Sequence, residues 1–214
     1  SVLETKELLS GAMQNDYVLV QIGENTVLQP ADTALQNSPV LTTFKDAVIP
    51  LQNLSSFSFT VQLVNTGNRD NFVSFYPFYC APSASAAGIS LTVWEGAIYF
   101  RKVMYGDGIT TTLPDGNQGP WGTFAATETL TVTVQYDYSD YVNGNVTVDY
   151  FFVSDAAGAD GKPKEGAIEN VQYTFADVGL PMELVKPAFG SGMGENTAYF
   201  DNVVLSYTEN AYTK

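Results

Sequence analysis

Residues 89–103 read ISLTVWEGAIYFRKV, and the fold class follows from this stretch. Glu95-Gly96 separates two runs rich in β-branched and aromatic residues, which is how a two-residue hairpin turn looks in sequence. That register sets Trp94 opposite Ala97, Val93 opposite Ile98, Thr92 opposite Tyr99 and Leu91 opposite Phe100. Leu91, Val93, Ile98 and Phe100 then share one face, the core face. Ser90, Thr92, Trp94, Ala97, Tyr99 and Arg101 share the other.

The same alternation spreads in both directions. Residues 57–63 (FSFTVQL) put Phe57, Phe59, Val61 and Leu63 on one side. Residues 130–136 (LTVTVQY) repeat the pattern, with Thr and Gln on the other side. Residues 146–152 begin in this pattern and then turn apolar on both faces. Further strands are expected at 17–22, 40–44, 72–79, 97–103, 171–175, 184–189 and 199–207. The 72–79 run, FVSFYPFY, is aromatic on both faces, and Pro77 marks a bulge or an edge, so both of its faces are expected to be covered. Turns are read at 65–68, at Asn143-Gly144 and at 190–192, and a long surface loop at 155–166. Helix is expected only at 4–13, with a turn at 31–36. Many short strands with this spacing predict an all-β fold, a two-sheet antiparallel β-sandwich occupying residues 1–214 as a single domain.

Nine Lys and Arg stand against twenty-three Asp and Glu, for a net charge of -14, so a nucleic-acid backbone would repel the chain. No run reaches the length of about 18 apolar residues that a membrane helix needs, and membrane insertion is not expected. The chain has no histidine, which removes the commonest general base and the commonest metal ligand. Its one cysteine, Cys80, reads as a small buried apolar residue.

The expected binding surface combines the face that carries Trp94, Tyr99 and Arg101 with the long loop at 104–123. That loop is Gly-rich and holds Tyr105, Asp107, Asn117, Gln118 and Trp121. Aromatic rings stack on the C–H faces of sugars, while Arg, Asn, Gln and Asp satisfy the hydroxyls around the rim. Burial of Trp94 beneath a loop, and of Trp121 as a loop plug, are the competing readings. No catalytic residue is assigned and no cofactor is expected. Calcium is left open at Asp155, Asp160 and Glu165 or at Asp107 and Asp115, although neither set has the spacing of a known calcium loop. Acids occur singly on the strands (Asp137, Asp149, Glu183, Asp201), and a carboxylate pair for glycoside hydrolysis could arise only if Asp137 and Asp149 faced one another across a hairpin.

Three passages give the chain a resemblance to the concanavalin A-like (laminin G-like) jelly-roll superfamily. These are GISLTVWEGAIYFR at 88–101, the strand pair at 130–153, and AYFDNVVLSY at 198–207, which is similar to the closing strand of many carbohydrate-binding modules. The glucanases of that superfamily carry a Glu-x-Asp-x-x-Glu strand, which is missing here. The resemblance therefore implies a non-catalytic, lectin-like module of a secreted bacterial polysaccharide-degrading system, and not an enzyme. It would be extracellular, part of a larger multidomain protein, and would bind a glucan such as starch. A surface adhesin or spacer that binds protein, and a glycoside hydrolase, are the alternative readings.

Overall fold

The computed structural model describes residues 9–11, 17–30, 39–44, 54–63, 72–80, 85–94, 97–104, 109–112, 128–157, 163–175, 185–192 and 198–207. In chain order the strands are β1 (Leu9–Gly11), β2 (Tyr17–Ile22), β3 (Asn25–Pro30), β4 (Pro39–Phe44), β5 (Leu54–Leu63), β6 (Phe72–Cys80), β7 (Ser85–Trp94) and β8 (Ala97–Met104). They continue with β9 (Ile109–Thr112), β10 (Thr129–Asp137), β11 (Asn145–Ala157), β12 (Pro163–Phe175), β13 (Val185–Gly192) and β14 (Ala198–Tyr207). All pairings are antiparallel. One sheet has six strands in the order β1-β4-β13-β6-β7-β8, and the other has eight in the order β2-β3-β14-β5-β10-β11-β12-β9. The expected all-β, two-sheet sandwich is the observed architecture.

The core between the sheets is built largely of rings. Phe75 of the six-stranded sheet packs on Tyr150 and Phe152 of the other sheet at centroid distances of 5.6 and 5.9 Å. Phe189 stacks on Phe59 at 5.0 Å and meets Phe200 at 5.1 Å. Phe78 presents its ring to the edges of Tyr173 and Phe175 at 4.9 and 5.1 Å. Apart from the stacked Phe59–Phe189 pair, these are the tilted and edge-on arrangements that ring quadrupoles favour, and nearly all of the rings are fully buried. β10 shows the cause in sequence: Leu130, Val132, Val134 and Tyr136 are buried, while the threonines and glutamine between them are not.

Three bulges keep this core continuous where strict alternation would break it. Phe75 and Phe78, Ile168 and Val171, and Phe200 and Val203 are each three residues apart, yet every one of these side chains is buried. In a regular strand such a pair would point to opposite faces; one extra residue restores both to the core. The register shifts between Phe75 and Phe78, between Val148 and Tyr150 (opposite 168–171), and between Asp201 and Val204 mark the three sites. Pro77 lies in the first, on an interior strand that could not otherwise hold a proline. The other two hold the only non-glycine residues with positive φ among those described, Asn170 at 60° and Asn202 at 50°. In each an aspartate accepts the asparagine N–H at 2.7 Å, from Asp149 across the ladder and from Asp201 next in the chain.

Three sequence expectations are corrected. Leu9–Gly11, inside the helix expected at 4–13, is a strand paired with β4, because pairing to a sheet outweighs the helix propensity of a short isolated segment. Residues 190–192, read as a turn, form the end of β13 between β4 and β6, where small residues still supply a full backbone ladder. Of the loop expected at 155–166, residues 155–157 belong to β11 and residues 163–166 to β12. The turn read at Asn143-Gly144 is present: Gly144, at φ 82°, ends a 3-10 turn over Tyr141–Asn143. The turn at 65–68 and that at 31–36 lie outside the described residues. β3 and β9 were not anticipated.

Candidate active site

The six-stranded sheet carries the surface on which the sequence reading converged. Val73, Phe75, Ile89 and Phe189 are buried and define its core face. Cross-strand registers then assemble two rows on the opposite face. Leu41, Gly190, Ser74, Ser90 and Arg101 fall in one, and Pro39, Gly192, Phe72, Thr92 and Tyr99 in the other. The intervening row runs through buried Val73, so by the pleat the two rows both belong to the face turned from the core. Gly190, Gly192, Ser74, Ser90 and Thr92 are small residues at these register positions, and Phe72 stands among them, between Gly192 and Thr92. These glycines were first read as a turn, so sequence alone missed them.

The hairpin of β7 and β8 has the register expected from 89–103, with Trp94 opposite Ala97, Thr92 opposite Tyr99 and Ser90 opposite Arg101. Trp94, Tyr99 and Arg101 therefore occupy strand positions on a single hairpin. Tyr105, Asp107, Asn117, Gln118 and Trp121 lie outside the described residues. The 104–123 segment is not wholly a loop, because Ile109–Thr112 pairs with Gln172–Phe175. The chain thus leaves β8, at the edge of one sheet, and re-enters as β9, at the edge of the other.

Several other acids among the described residues are tied into structure. Asp137 and Asp149 sit on neighbouring strands but not opposite one another: Asp137 faces Thr147 and Asp149 faces Gln135. Asp137 accepts the N–H of Ser139 at 2.8 Å, and Asp149 holds the Asn170 bulge. Asp140 is held below the usual carboxylate range, chiefly by the Asn145 side-chain amide and then by that of Asn143. Glu128 receives Lys164 Nζ at 2.6 Å and the Ser154 hydroxyl at 2.9 Å, at one end of the sandwich where Ser154 is buried. Asp155 accepts the Thr129 N–H at 2.8 Å. No group of three metal-ligating acids gathers among the described residues.

A cluster of buried tyrosines was not anticipated. Tyr136 and Tyr138 stack with 3° between their planes, and the hydroxyls of Tyr150 and Tyr173 hydrogen-bond within the core. Burial drives Tyr136, Tyr138 and Tyr150 well above the normal tyrosine range, with neighbouring tyrosines adding to the effect. Such groups stay neutral and cannot serve as bases at ordinary pH.

Neither a protein-family model nor a curated protein matches the sequence. Solved structures do match in shape. A PL-14 alginate lyase from the mollusc Aplysia kurodai superposes with a TM-score of 0.54 at 10% identity, over 90% of this chain and 87% of that one. An endo-β-1,4-glucuronan lyase from the fungus Trichoderma reesei superposes with a TM-score of 0.52 at 11% identity, over 94% and 90%. These likenesses fit the two-sheet β-sandwich described above. They overturn the expectation of a non-catalytic, starch-binding module and of a chain that is not an enzyme, since whole-length neighbours of this fold are polysaccharide lyases. The earlier inference failed for a chemical reason: lack of a Glu-x-Asp-x-x-Glu strand counts against hydrolysis by paired carboxylates, but elimination does not need that pair.

Proposed function

We infer that the chain is a polysaccharide-degrading enzyme that cleaves a uronate-containing polymer by β-elimination at the outer face of the six-stranded sheet. The observation that carries this reading is the placement of Tyr99 and Arg101 at alternate positions of β8, in register with the small residues Thr92 and Ser90. The likeness in fold to two uronan lyases supplies the reaction class.

Elimination asks for three things. The uronate carboxylate must be neutralised so that the carbon beside it becomes acidic, a base must remove that proton, and the glycosidic oxygen must leave with a proton. Arginine suits the first role, because its planar fork pairs with a carboxylate through two hydrogen bonds. In a chain without histidine, tyrosine is a natural proton carrier. On this reading Arg101 binds the carboxylate, Tyr99 exchanges the proton, and Trp94 gives a platform for an adjoining sugar ring. The polymer would lie across the strands, over the register positions of Gly190, Ser74 and Ser90. An enzyme with a polymeric substrate acts where the polymer is, so the protein is assigned to the cell exterior.

The test is incubation with alginate, with polyglucuronate and with starch, following ultraviolet absorbance from the conjugated double bond that only elimination creates. A rise with a uronan that disappears in Tyr99→Phe and Arg101→Ala, both still folded by circular dichroism, supports the reading. New reducing ends without absorbance would mean hydrolysis, and no cleavage of any polymer would sink the proposal.

A further inference from the structure

Asn143-Gly144 lies in the connection between β10 and β11, and the proposed elimination makes no use of it. An asparagine followed by glycine is the dipeptide most open to self-modification. The backbone nitrogen of the glycine attacks the asparagine Cγ, and no Cβ on the glycine hinders the approach. In that step the Gly144 N–H gives up its proton, a bond forms from Gly144 N to Asn143 Cγ, and the Cγ–Nδ2 bond breaks to release ammonia. Water then opens the succinimide ring at either carbonyl and leaves aspartate or isoaspartate at position 143. Asn143 and Val142 are both exposed, so water reaches the pair.

Both reacting groups are engaged in the folded chain. The Gly144 N–H donates to the Tyr141 carbonyl at 2.8 Å, and the Asn143 N–H donates to the Asp140 carbonyl at 3.0 Å, so the attacking nitrogen is held inside the 3-10 turn. The Asn143 side-chain amide donates through Nδ2 to Asp140 Oδ1, which holds Cγ toward the start of the turn. Asp140 Oδ2 accepts the Asn145 side-chain amide at 2.6 Å, and the Asp140 carbonyl also receives the Asn145 N–H at 3.2 Å. One aspartate thus grips the chain on both sides of the Asn143-Gly144 bond, and its charge makes the side-chain bonds stronger than neutral ones. Ring closure has to bring Gly144 N onto Cγ. That movement breaks the bond to Tyr141 and pulls the amide off Asp140.

We propose that Asn143-Gly144 is a deamidation site that Asp140 keeps closed while the turn is folded and that opens when the turn frays. The site is coupled to the core. The Gly144 carbonyl accepts the Phe175 N–H at 2.8 Å, and Phe175 packs edge-on against Phe78 and Tyr141. Isoaspartate carries the chain through its side-chain carbon, which lengthens the backbone and moves the carbonyl that fixes the last residue of β12. Either product also sets a second carboxylate against Asp140, where the native amide donated. Asn145 is the internal comparison. Its amide rests on the same carboxylate, but β-branched Val146 follows it and obstructs the equivalent attack. The turn belongs to the eight-stranded sheet and the proposed active surface to the other, so the inference does not depend on that reading.

The experiment incubates the 214-residue chain at physiological temperature and neutral pH. Peptide mass spectrometry then reads amide-to-acid conversion at 143 and 145 separately, with isoaspartate scored by enzymatic methylation. Expected is slow conversion in the folded protein, and conversion of Asn143 ahead of Asn145 once urea unfolds it. Folded Asp140→Ala, its fold checked by near-ultraviolet circular dichroism, should convert Asn143 at least about tenfold faster than the native chain, as two charge-assisted bonds are lost. Hydrogen exchange supplies the arm that needs no variant: the Gly144 amide should be protected in the native protein. Conversion as fast in the folded chain as in urea overturns the proposal. So does an unchanged rate in folded Asp140→Ala, or a Gly144 amide that exchanges freely.

Discussion

The hydroxyl of Tyr136, on the eight-stranded sheet, donates a buried hydrogen bond of 3.0 Å to the carbonyl of Pro77, on the six-stranded sheet. The bulge that admits Pro77 interrupts the ladder to β7, and the bond reaches its carbonyl from the facing layer. One polar contact thus ties the two sheets at the point where the smaller one departs from regular pairing. Tyr136→Phe keeps the ring against Phe78 and removes only the donor. It is expected to cost about 1–3 kcal/mol, the penalty of a buried acceptor left without its partner, as measured by urea unfolding with an unchanged slope.

Alkaline pH should unfold the protein cooperatively. Tyr136, Tyr138 and Tyr150 ionise in the folded state only well above the normal tyrosine range, because burial penalises the phenolate. The unfolded chain loses those protons from about pH 10 upward, while the native chain keeps them. Stability is therefore full below pH 10 and falls as pH rises past it, by up to about 1.4 kcal/mol per pH unit for each of the three tyrosines. An ultraviolet titration that tracks loss of near-ultraviolet circular dichroism is expected; ionisation of these rings in a still-folded protein would contradict it.

Asn170 and Asn202 should tolerate glycine and reject branched residues. Both occupy the left-handed region, which asparagine enters more easily than most side chains do. Replacement by Gly is expected to leave the unfolding free energy within about 0.5 kcal/mol, since glycine meets no steric cost there. Asn202→Val should lose about 1–2 kcal/mol or more. Equal effects of the two substitutions at position 202 would show that the positive φ is not what selects asparagine.

Phe59 touches Phe57, Phe75, Phe189 and Phe200, so it joins two strands of its own sheet, β5 and β14, to two of the opposite sheet, β6 and β13. Phe59→Ala opens a cavity that these ring neighbours cannot fill by small shifts. The expected loss is about 3–5 kcal/mol in chemical denaturation. Phe59→Leu, which refills most of the volume, should cost clearly less.

Activity on a uronan should rise with added salt before it falls. A polyanion approaching a chain of net charge -14 meets long-range repulsion, which salt screens, whereas the short-range pairing with Arg101 is weakened only at higher ionic strength. Steady-state kcat/KM across a sodium chloride series reads this directly, and a steady decline from the lowest salt would contradict it.

Strand positions were readable where one face is apolar and the other polar. Residues 57–63 and 130–136 alternate cleanly, and both became central strands of the eight-stranded sheet. The β7–β8 register was readable as well, since a two-residue turn between apolar runs permits only one pairing that keeps Leu91 and Phe100 on the same face. Extension of β11 and β12 through 155–166 was not, because small and charged residues carry no period. The bulges left a trace that goes unnoticed in a search for period two: pairs of apolar residues three apart, such as Phe75 with Phe78 and Phe200 with Val203.

What the sequence determined by itself is the class of fold, because alternation of apolar and polar residues is a local property and each strand states its own inward face. It also determined the lack of histidine chemistry and the strong negative charge. Only the tertiary structure decided which strands became neighbours. Gly190 and Gly192 lie some ninety residues from Tyr99 and Arg101 in the chain, and pairing of β13 with β6 and of β6 with β7 brings them into common rows. Backbone ladders make that choice, and their N–H and C=O groups are the same in every residue but proline. A site assembled by such pairing is invisible until the strands are in order.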